Sequence, residues 1–476
     1  TACSDGAPRY VALPAPLDLA QNKKRGLTLH FKPLDALSCT GTLQGASYNT
    51  FAEMGARRAF AASAPLADGR VLIAGGAVEV DGEVFRADET ADAWEIYAPG
   101  ESLFLPGIDR AQAIEPRAMI APRVAAQAFP YAPKGADRPG VLVVGGVPAM
   151  RRGTFPFGPL APVEGPISRP EAEFFDPEKG VFAPVLFADG AVLSERFLTG
   201  GAVDDAGRVV LVGGVQWPEG APSGRIEIIE GDTLRTLDLP PDAQSRPTGL
   251  FGPTVTPLGE GRFFIWGADA RGCGEQPGWL LMLEPTPRIG PLEVIADDPV
   301  LRCGDEIGDR RWYPTAYHVA ARLPDADGHA RVLITGGIIA GTVGLISNPD
   351  PGDGRKPNAF VAEIDIAGRT VQLHPVTADF EAQGRLKRAF HRAARVADDR
   401  VLLTGGWVAL ETSTALYTAD DALLYTDGRP AGRISVLPQS LAAQRLGHLS
   451  VELPGRGVLL AGGLSRKPGE GFQISP

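Results

Sequence analysis

The chain has 476 residues, of which 44% are hydrophobic, so it can bury a core and a disordered chain is excluded. Its formal net charge is −11 and its longest basic run is only Lys23–Arg25, which argues against a nucleic-acid partner because phosphate binding needs clustered cations. No stretch of about 18 apolar residues occurs, so no transmembrane segment is expected.

The four cysteines, Cys3, Cys39, Cys273 and Cys303, are even in number and lie among turn-forming residues. This usage predicts disulfide bonds in an exported protein, whether periplasmic, cell-surface or secreted. Thr1-Ala2-Cys3 resembles the end of a bacterial lipobox, which would make Cys3 a lipid anchor. Lipobox processing leaves the cysteine first, so we favour instead a signal peptide that is cut before Thr1.

In chain order, residues 1–25 are predicted to be an N-terminal extension, and the segment 26–31 (GLTLHF) to be a strand. Seven short apolar runs follow, and each ends in a glycine pair or its remnant. The pairs are Gly75-Gly76, Gly145-Gly146, Gly213-Gly214, Gly267-Ala268, Gly336-Gly337, Gly405-Gly406 and Gly462-Gly463. Runs such as Val71–Ala74 show no polar alternation, so both faces of these strands are expected to be buried. The intervals carry Pro, Gly and further strands, which excludes a parallel α/β sheet because that fold needs a helix in each interval.

Two further marks keep register with the glycine pairs. Arg58, Arg196, Arg388 and Arg445 each lie 17 residues before the first glycine of their own pair. After the pair comes another strand-like run, often acidic and aromatic, such as Glu173–Pro177. Together these marks indicate an internal repeat that spans most of the chain.

The arginine, the apolar run with its glycine pair and the acidic-aromatic run together resemble the Kelch repeat. The resemblance implies an all-β fold, a single seven-bladed Kelch-type β-propeller over residues 26–476. After Gly463 there is room for only one more strand, near Phe472–Ile474. We therefore expect the strand at 26–31 to complete the seventh blade and close the ring, which leaves no free edge.

A narrower resemblance is to the copper radical oxidases (galactose and glyoxal oxidases), whose catalytic domains are Kelch propellers. Arg311–Tyr313 is similar to their strand with a tyrosine that is cross-linked to a cysteine of the preceding repeat. The corresponding residue of the preceding repeat is here Gly252, and the family's Tyr-His pair is here Phe390-His391. The resemblance thus implies that the radical copper cofactor does not form in this chain, and no cofactor is expected.

Three histidines are candidate metal ligands. His391 and His448 each lie 14 residues before a glycine pair, and His318 fits the same place if residues 325–329 are an insertion. Equivalent positions in neighbouring blades could bring three imidazoles together near a central channel, where they could bind zinc or copper. The alternative is that each histidine hydrogen-bonds a neighbouring blade, as is common in Kelch repeats.

Long insertions follow four glycine pairs, at 77–93, 147–170, 338–358 and 407–421, and are expected on one face of the ring. A Cys273–Cys303 disulfide would lie on this long-loop face, and Cys3–Cys39 would be the remaining pair. Aromatic and arginine side chains on loops of a rigid scaffold are typical of binding surfaces. The candidate binding residues are Phe85, Arg151, Arg152, Phe155, Phe157, Arg169 and Trp407, with Trp217 and Trp312 nearby. The alternative is that these side chains pack the loops against one another.

These observations predict a non-catalytic, exported binding or scaffold protein whose long-loop face binds another protein or a surface glycan. A second hypothesis is a metal-dependent, oxidase-like enzyme that uses the histidines near the channel. A third is a subunit of a larger extracytoplasmic assembly, for which the long-loop face would be permanently buried.

Overall fold

A computed structural model describes most of the chain from residue 54 onward and a few short segments before it. The described residues are 10–12, 31–33, 37, 43–44, 47–48, 54–87, 94–99, 103–106, 119–134, 138–152, 160–163, 171–242, 245–268, 277–296, 315–338, 359–409, 416–453, 457–466 and 470–475. Within these ranges the chain is nearly all β, with one short α-helix, Phe380–Arg385, and one 3-10 turn, Ala188–Gly190. Neither helical segment of the described part is long and apolar enough to cross a membrane.

Each of the seven apolar runs forms the second strand of a separate antiparallel sheet. The sheets, numbered in chain order, share a meander in which each strand pairs with the next. Sheet 1 is Ala62–Pro65, Val71–Ala74, Trp94–Ala98 and Leu103–Pro106; sheet 2 is Gln127–Tyr131, Gly140–Val144, Ala172–Asp176 and Val181–Pro184; sheet 3 is Gly200–Val203, Val209–Val212, Arg225–Glu230 and Thr233–Asp238; sheet 4 is Thr254–Gly259, Arg262–Trp266, Gly278–Met282 and Arg288–Pro291. Sheet 5 is Val319–Ala326, His329–Thr335, Ala359–Asp365 and Thr370–Pro375; sheet 6 is Arg392–Ala397, Arg400–Thr404, Ala422–Thr426 and Arg433–Val436; sheet 7 is Leu449–Leu453 and Gly457–Ala461.

Two connecting strands extend the outer edges of sheets 5 and 6. Glu293–Ile295 pairs in parallel with Thr370–Pro375, and Thr377–Ala378 pairs in parallel with Arg433–Val436. The remaining strands form smaller antiparallel groups. These groups are Ala77–Asp81 with Val84–Ala87, Ala149–Arg152 and Leu160–Pro162; Arg388–Ala389 with Trp407–Ala409 and Leu416–Thr418; Arg196–Phe197 with Val215–Gln216; Leu464–Ser465 with Gln473–Ile474; Leu43–Gln44 with Ser47–Tyr48; and Tyr10–Ala12 with Phe31–Pro33.

The second strands are buried on both faces, as their unbroken apolar sequence predicts. All four side chains of Val71–Ala74 are fully buried, and those of Val209–Val212 are at most 3% exposed. Separate hydrophobic clusters lie between sheets 1 and 2, 2 and 3, 3 and 4, 4 and 5, 5 and 6, and 7 and 1. Sheets 1 to 5 are therefore each packed between two others, which is consistent with the stacked sheets of a β-propeller.

The first strands of the sheets contact one another in sequence order. Contacts join sheet 1 to sheet 2 and so on to sheet 7, and Leu449–Leu453 of sheet 7 also contacts Ala62–Pro65 of sheet 1. The first strands therefore lie next to one another along one edge of the sheets.

The glycine pairs join each sheet to the next one. The N–H of the second glycine donates to the carbonyl of the residue at the arginine position of the following repeat, as in Gly76 to Arg123 at 2.7 Å and Gly463 to Arg58 at 2.7 Å. The first glycine makes this approach possible. Gly75 has a φ of +64°, and a Cβ on it would lie 2.5 Å from the Arg123 carbonyl oxygen, so a larger residue does not fit.

The constant spacing between each arginine and its glycine pair has a direct structural cause. Arg196 donates to the carbonyl of Gly213 at 2.6 Å, and Arg58, Arg388 and Arg445 make the same bond to the first glycine of their own pairs at 2.5 to 3.3 Å. Arg123 makes it as well, to Gly145 at 2.7 Å, although 22 residues separate the two. The sequence pattern missed Arg123 because the hairpin between the first two strands of sheet 2 is longer.

Most of these arginines are also paired with an acid on the third strand of their own sheet. Arg196 and Glu227 are 2.5 Å apart and both 1% exposed, and Arg123 and Glu173 are 2.8 Å apart and 4% and 0% exposed. The acidic residue of the acidic-aromatic run is thus the partner of the arginine, which explains why the two marks keep register.

Several expectations for the N-terminal region and the cysteines lie outside the described residues. Residues 26–30 of the proposed closing strand are not described, and Phe31–Pro33 pairs with Tyr10–Ala12, across the expected boundary at residue 25. Within the described residues, sheet 7 has two strands and neither pairs with Phe31–Pro33. Cys3, Cys39, Cys273 and Cys303 also lie outside the described residues.

Candidate functional site

Seven equivalent residues with positive φ bring the first strands together. They lie two residues after the arginine position, and their φ angles are between 45° and 63°. These residues are Phe60, Ala125, Leu198, Gly252, Tyr317, Phe390 and Gly447. Backbone hydrogen bonds join neighbouring members, including Phe390 N–H to Tyr317 O at 3.1 Å and Phe60 N–H to Gly447 O at 2.7 Å. The left-handed backbone conformation of each of these seven residues redirects the chain so that it enters the first strand of its sheet.

Several of these seven residues and their neighbours contribute side chains to one aromatic cluster. We define the aromatic cluster as Phe60, Phe85, Phe197, Phe251, Tyr317, Phe390, Trp407 and Phe472. Tyr317 stacks on Phe390 with ring centroids 4.4 Å apart, and Phe390 meets Phe60 edge-on at 6.5 Å. A Cβ on Gly252 would lie 2.2 Å from the Tyr317 ring, so only glycine leaves room for this ring.

Insertions from different repeats cover the aromatic cluster. Ala77–Asp81, Val84–Ala87, Ala149–Arg152 and Leu160–Pro162 form one sheet, the cap sheet, from residues that follow the first and second glycine pairs. Phe85 and Met150 are opposite each other in it and at most 1% exposed, because they face the aromatic cluster. Phe472 packs edge-on against Phe85 at 5.2 Å and against Trp407 at 6.3 Å.

Two of the candidate binding residues are therefore not on the surface. Phe85 and Trp407 are each 1% exposed, so they cannot contact a partner directly, and the expectation that they form a binding surface is wrong. They pack the insertions together, as the alternative interpretation proposed. Trp217 is partly buried and packs against the same cluster.

The outer face of the cap sheet is charged. Glu79, Arg86 and Arg151 are exposed, and strand alternation places them opposite to Phe85 and Met150. Of the candidate binding residues, Arg151 is therefore the one whose described side chain faces solvent. Arg152 ends the same strand, but its side chain lies outside the described residues, as do Phe155, Phe157, Arg169 and Trp312.

The three candidate histidines are buried between neighbouring sheets. Their Nε2 atoms each lie 2.8 Å from a threonine hydroxyl of the preceding sheet. The pairs are His318 with Thr254, His391 with Thr335 and His448 with Thr404. The described residues contain no group of three His, Cys, Asp or Glu side chains that could hold a metal ion. His318, His391 and His448 therefore do not form the predicted metal site, because their Nε2 atoms join sheets instead.

Burial keeps these histidines neutral. It lowers the pKa of His318 to about 4, although its Nδ1–H donates to the Thr315 carbonyl at 2.8 Å. Desolvation, with Arg388 and other nearby cations, lowers the pKa of His391 well below its ordinary value. The pKa of His448 is lowered in the same way, by burial and by Arg392 and Arg445. The imidazoles thus serve as neutral hydrogen-bonding groups at pH 7.

Tyr317 is a central residue that the sequence reasoning missed. It is 6% exposed, its hydroxyl has no hydrogen-bond partner among the described residues, and burial strongly raises its pKa. The signal was present in the sequence, because Tyr317 precedes His318 as Phe390 precedes His391. Tyr313, which was matched to the copper oxidase tyrosine, lies outside the described residues.

No protein-family model matches the chain. No curated protein is similar to it. Among solved structures, a novel fungal alcohol oxidase of the AA5 family, in complex with copper, has 12% sequence identity and a TM-score of 0.49, covering 87% of this chain and 71% of its own. YjhT has 11% identity and a TM-score of 0.41, covering 81% of this chain and 98% of its own. At these values neither structure supports a functional assignment, so the strands and contacts above carry the description of the fold.

Proposed function

We propose that the chain is a seven-bladed, Kelch-type β-propeller whose ring closes between the last repeat and the first. The hydrogen bonds from Gly463 to Arg58 and from Phe60 to Gly447 support closure, since they join residues 405 and 387 positions apart in the sequence. The hydrophobic cluster between sheets 7 and 1 supports it as well.

The function that this architecture supports best is a non-catalytic, exported scaffold that binds another protein or a surface glycan through the cap sheet. The observation that carries the proposal is the cap sheet itself, in which insertions of two repeats pair with each other. Its inner face is packed against the aromatic cluster, and its outer face presents Glu79, Arg86 and Arg151 to solvent. A rigid sheet with a charged outer face is a preorganised surface for a polar partner.

The test compares charge reversal on the cap sheet with charge reversal elsewhere. Arg86→Glu/Arg151→Glu changes the outer face of the cap sheet, and Arg288→Glu changes an exposed arginine on the outer strand of sheet 4. Each protein is applied to a glycan microarray and cross-linked to the envelope and secreted proteins of its source. We expect one specific partner that binds the wild type and Arg288→Glu and is lost with the double variant.

Loss of binding in Arg288→Glu alone, or equal binding by all three proteins, would contradict the assignment to the cap sheet. Thermal unfolding of each variant separates loss of binding from loss of fold. A partner that remains bound throughout native purification would favour the third hypothesis, a subunit of a larger assembly.

A metal-dependent enzyme remains the alternative proposal, and elemental analysis distinguishes it from a non-catalytic scaffold. The Nε2 atoms of the three histidines are engaged with threonines, and Gly252 supplies no thiol beside Tyr317, so the described residues do not favour a copper radical centre. We expect mass-spectrometric elemental analysis of natively purified protein to give copper and zinc well below one equivalent. Copper or zinc in stoichiometric amount would favour the metal-dependent enzyme over the scaffold.

Export and the cysteine chemistry also remain proposals. We propose that Cys273 pairs with Cys303 and Cys3 with Cys39, and that Cys3 carries no lipid. Peptide mapping of natively produced protein without reduction tests both points, because a disulfide-linked or a lipidated Cys3 peptide has a distinct mass.

A further inference from the structure

Arg392 has an unusual position at the inner edge of the sheets. It begins the first strand of sheet 6, Arg392–Ala397, directly after the buried His391. This strand contacts the first strand of sheet 7, Leu449–Leu453. The Arg392 Nε–H donates to the carbonyl of His448 at 2.9 Å, which fixes the guanidinium between the two strands.

Arg392 has no acidic partner among the described residues, unlike the buried Arg388 and Arg196. Arg388, four residues earlier, lies 2.8 Å from Asp421, and Arg196 lies 2.5 Å from Glu227. The bond to His448 is the one hydrogen bond that the described structure gives to the Arg392 side chain. Its two terminal nitrogens therefore keep four N–H donors that are available to a ligand.

Water reaches the Arg392 side chain, but protein also surrounds it, which indicates a crevice between the two strands. Arg392 is exposed, yet desolvation by surrounding protein lowers its pKa and no acid raises it. A guanidinium stays protonated at neutral pH even so, and thus Arg392 carries a full positive charge in a confined space. An interaction with an anion is stronger there than on an open surface, because less water screens the two charges.

Among the described residues, the groups close to Arg392 are neutral or positive, and the one acid on these two strands, Glu452, accepts the backbone N–H of Arg395 at 2.5 Å. His391 and His448 are neutral, and both have a lowered pKa partly because Arg392 lies close to them. Arg445 also lies close to His448. Arg392 and Arg445 thus place positive charge at the His448 end of the crevice, although the chain as a whole has a net charge of −11.

We propose that the crevice beside Arg392, between the first strands of sheets 6 and 7, binds a small carboxylate anion. The two terminal nitrogens of a guanidinium match the two oxygens of a carboxylate in a planar pair of N–H···O bonds. The hydrogen bond from Nε to His448 presets the orientation of the guanidinium, so little side-chain freedom is lost when the anion binds. This site is separate from the cap sheet and does not depend on the function proposed for it.

The experiment is calorimetric titration of the full chain with sodium acetate, sodium succinate and inorganic phosphate at constant ionic strength. We expect saturable binding of acetate or succinate to the wild type. Arg392→Gln should weaken this binding at least tenfold. Arg395→Gln is the matched control, because Arg395 is an exposed arginine on the same strand, and it should bind as the wild type does.

Arg392→Lys keeps the positive charge but lacks the planar guanidinium with its two terminal nitrogens. We expect this variant to bind the carboxylate several-fold more weakly than the wild type does. It also provides a folded comparison should Arg392→Gln prove unstable in thermal unfolding. The proposal is overturned if neither carboxylate shows saturable binding, if only phosphate binds, or if Arg392→Gln and the wild type bind equally.

Discussion

At the scale of single residues, Gly252 shows how tightly the centre is packed. It has a φ of +45°, and its Cβ position lies 2.2 Å from the Tyr317 ring. We expect Gly252→Ala to lower the free energy of unfolding by about 3 kcal/mol or more, since a backbone penalty of about 1 to 2 kcal/mol adds to overpacking. Urea unfolding measures this change.

Gly69→Ala is the matched control. Gly69 also has a positive φ, of +83°, but no atom lies within 4 Å of its Cβ position. Only the backbone penalty remains there, about 1 to 2 kcal/mol. Equal losses in the two variants would show that Tyr317 does not restrict position 252.

The buried histidines make the stability depend on pH. Their pKa values are depressed in the folded state, to about 4 for His318, against an ordinary 6.5. Above pH 6.5 they are neutral in both states, whereas below it the unfolded chain binds protons that the folded protein does not. Stability should therefore fall as the pH drops from 6.5 towards 4, by up to about 1.4 kcal/mol per pH unit for each histidine.

Urea unfolding between pH 7 and pH 4 measures this slope, and His448→Gln should reduce it. His329→Gln is the control, because the partly exposed His329 pairs with Glu363 and its pKa is raised. Removing His329 should leave the loss of stability between pH 6.5 and 4 in place. A slope that is the same in the wild type and in His448→Gln would contradict the role of burial.

At the scale of elements, the arginine-acid pairs join the segment before each first strand to the third strand of the same sheet. Arg196 also donates to the carbonyls of Gly213 and Arg225. Arg196→Met leaves Glu227 buried without its cation, so we expect a loss of about 3 to 5 kcal/mol. Chemical denaturation monitored by circular dichroism checks the value.

The comparison variant is Arg70→Met, which removes the partly exposed pair of Arg70 with Asp68, 2.7 Å apart. Solvent screens this pair, so its loss should cost about 1 kcal/mol or less. Equal losses of stability in the two variants would show that the buried pair of Arg196 and Glu227 contributes no more than an exposed pair.

At the scale of the whole molecule, a closed ring has no weak seam between its last and first repeats. The amides of Phe60 and Gly463 donate across this boundary, and those of Gly76 and Gly214 make equivalent bonds within the chain. We expect hydrogen exchange, followed by mass spectrometry, to protect all four to a similar degree, because opening any of them requires separating two packed sheets. Much faster exchange at Phe60 and Gly463 than at Gly76 and Gly214 would indicate an open ring.

The positions of the strands could be predicted from the sequence because they depend on local patterns. An apolar run without alternation predicts a strand buried on both faces, and Val71–Ala74 is buried in this way. The glycine pairs and the arginines at a spacing of 17 residues also reflect local geometry, since both ends of the arginine-to-glycine bond belong to one hairpin. The spacing of 17 residues did not identify Arg123, because a longer hairpin places this residue 22 positions before Gly145.

Which side chains meet was decided by the tertiary structure alone. Phe85 and Phe472, Tyr317 and Phe390, and His448 and Thr404 are 44 to 387 residues apart in the sequence and come from different repeats. Contacts between repeats depend on how the sheets pack, and no local period encodes that packing. For the same reason the sequence could suggest that three histidines share a metal and that Phe85 and Trp407 face a partner. Only the packed sheets show that the histidines bond threonines and that Phe85 and Trp407 are buried. They also show that Arg392 has no acidic partner in the described part of the chain.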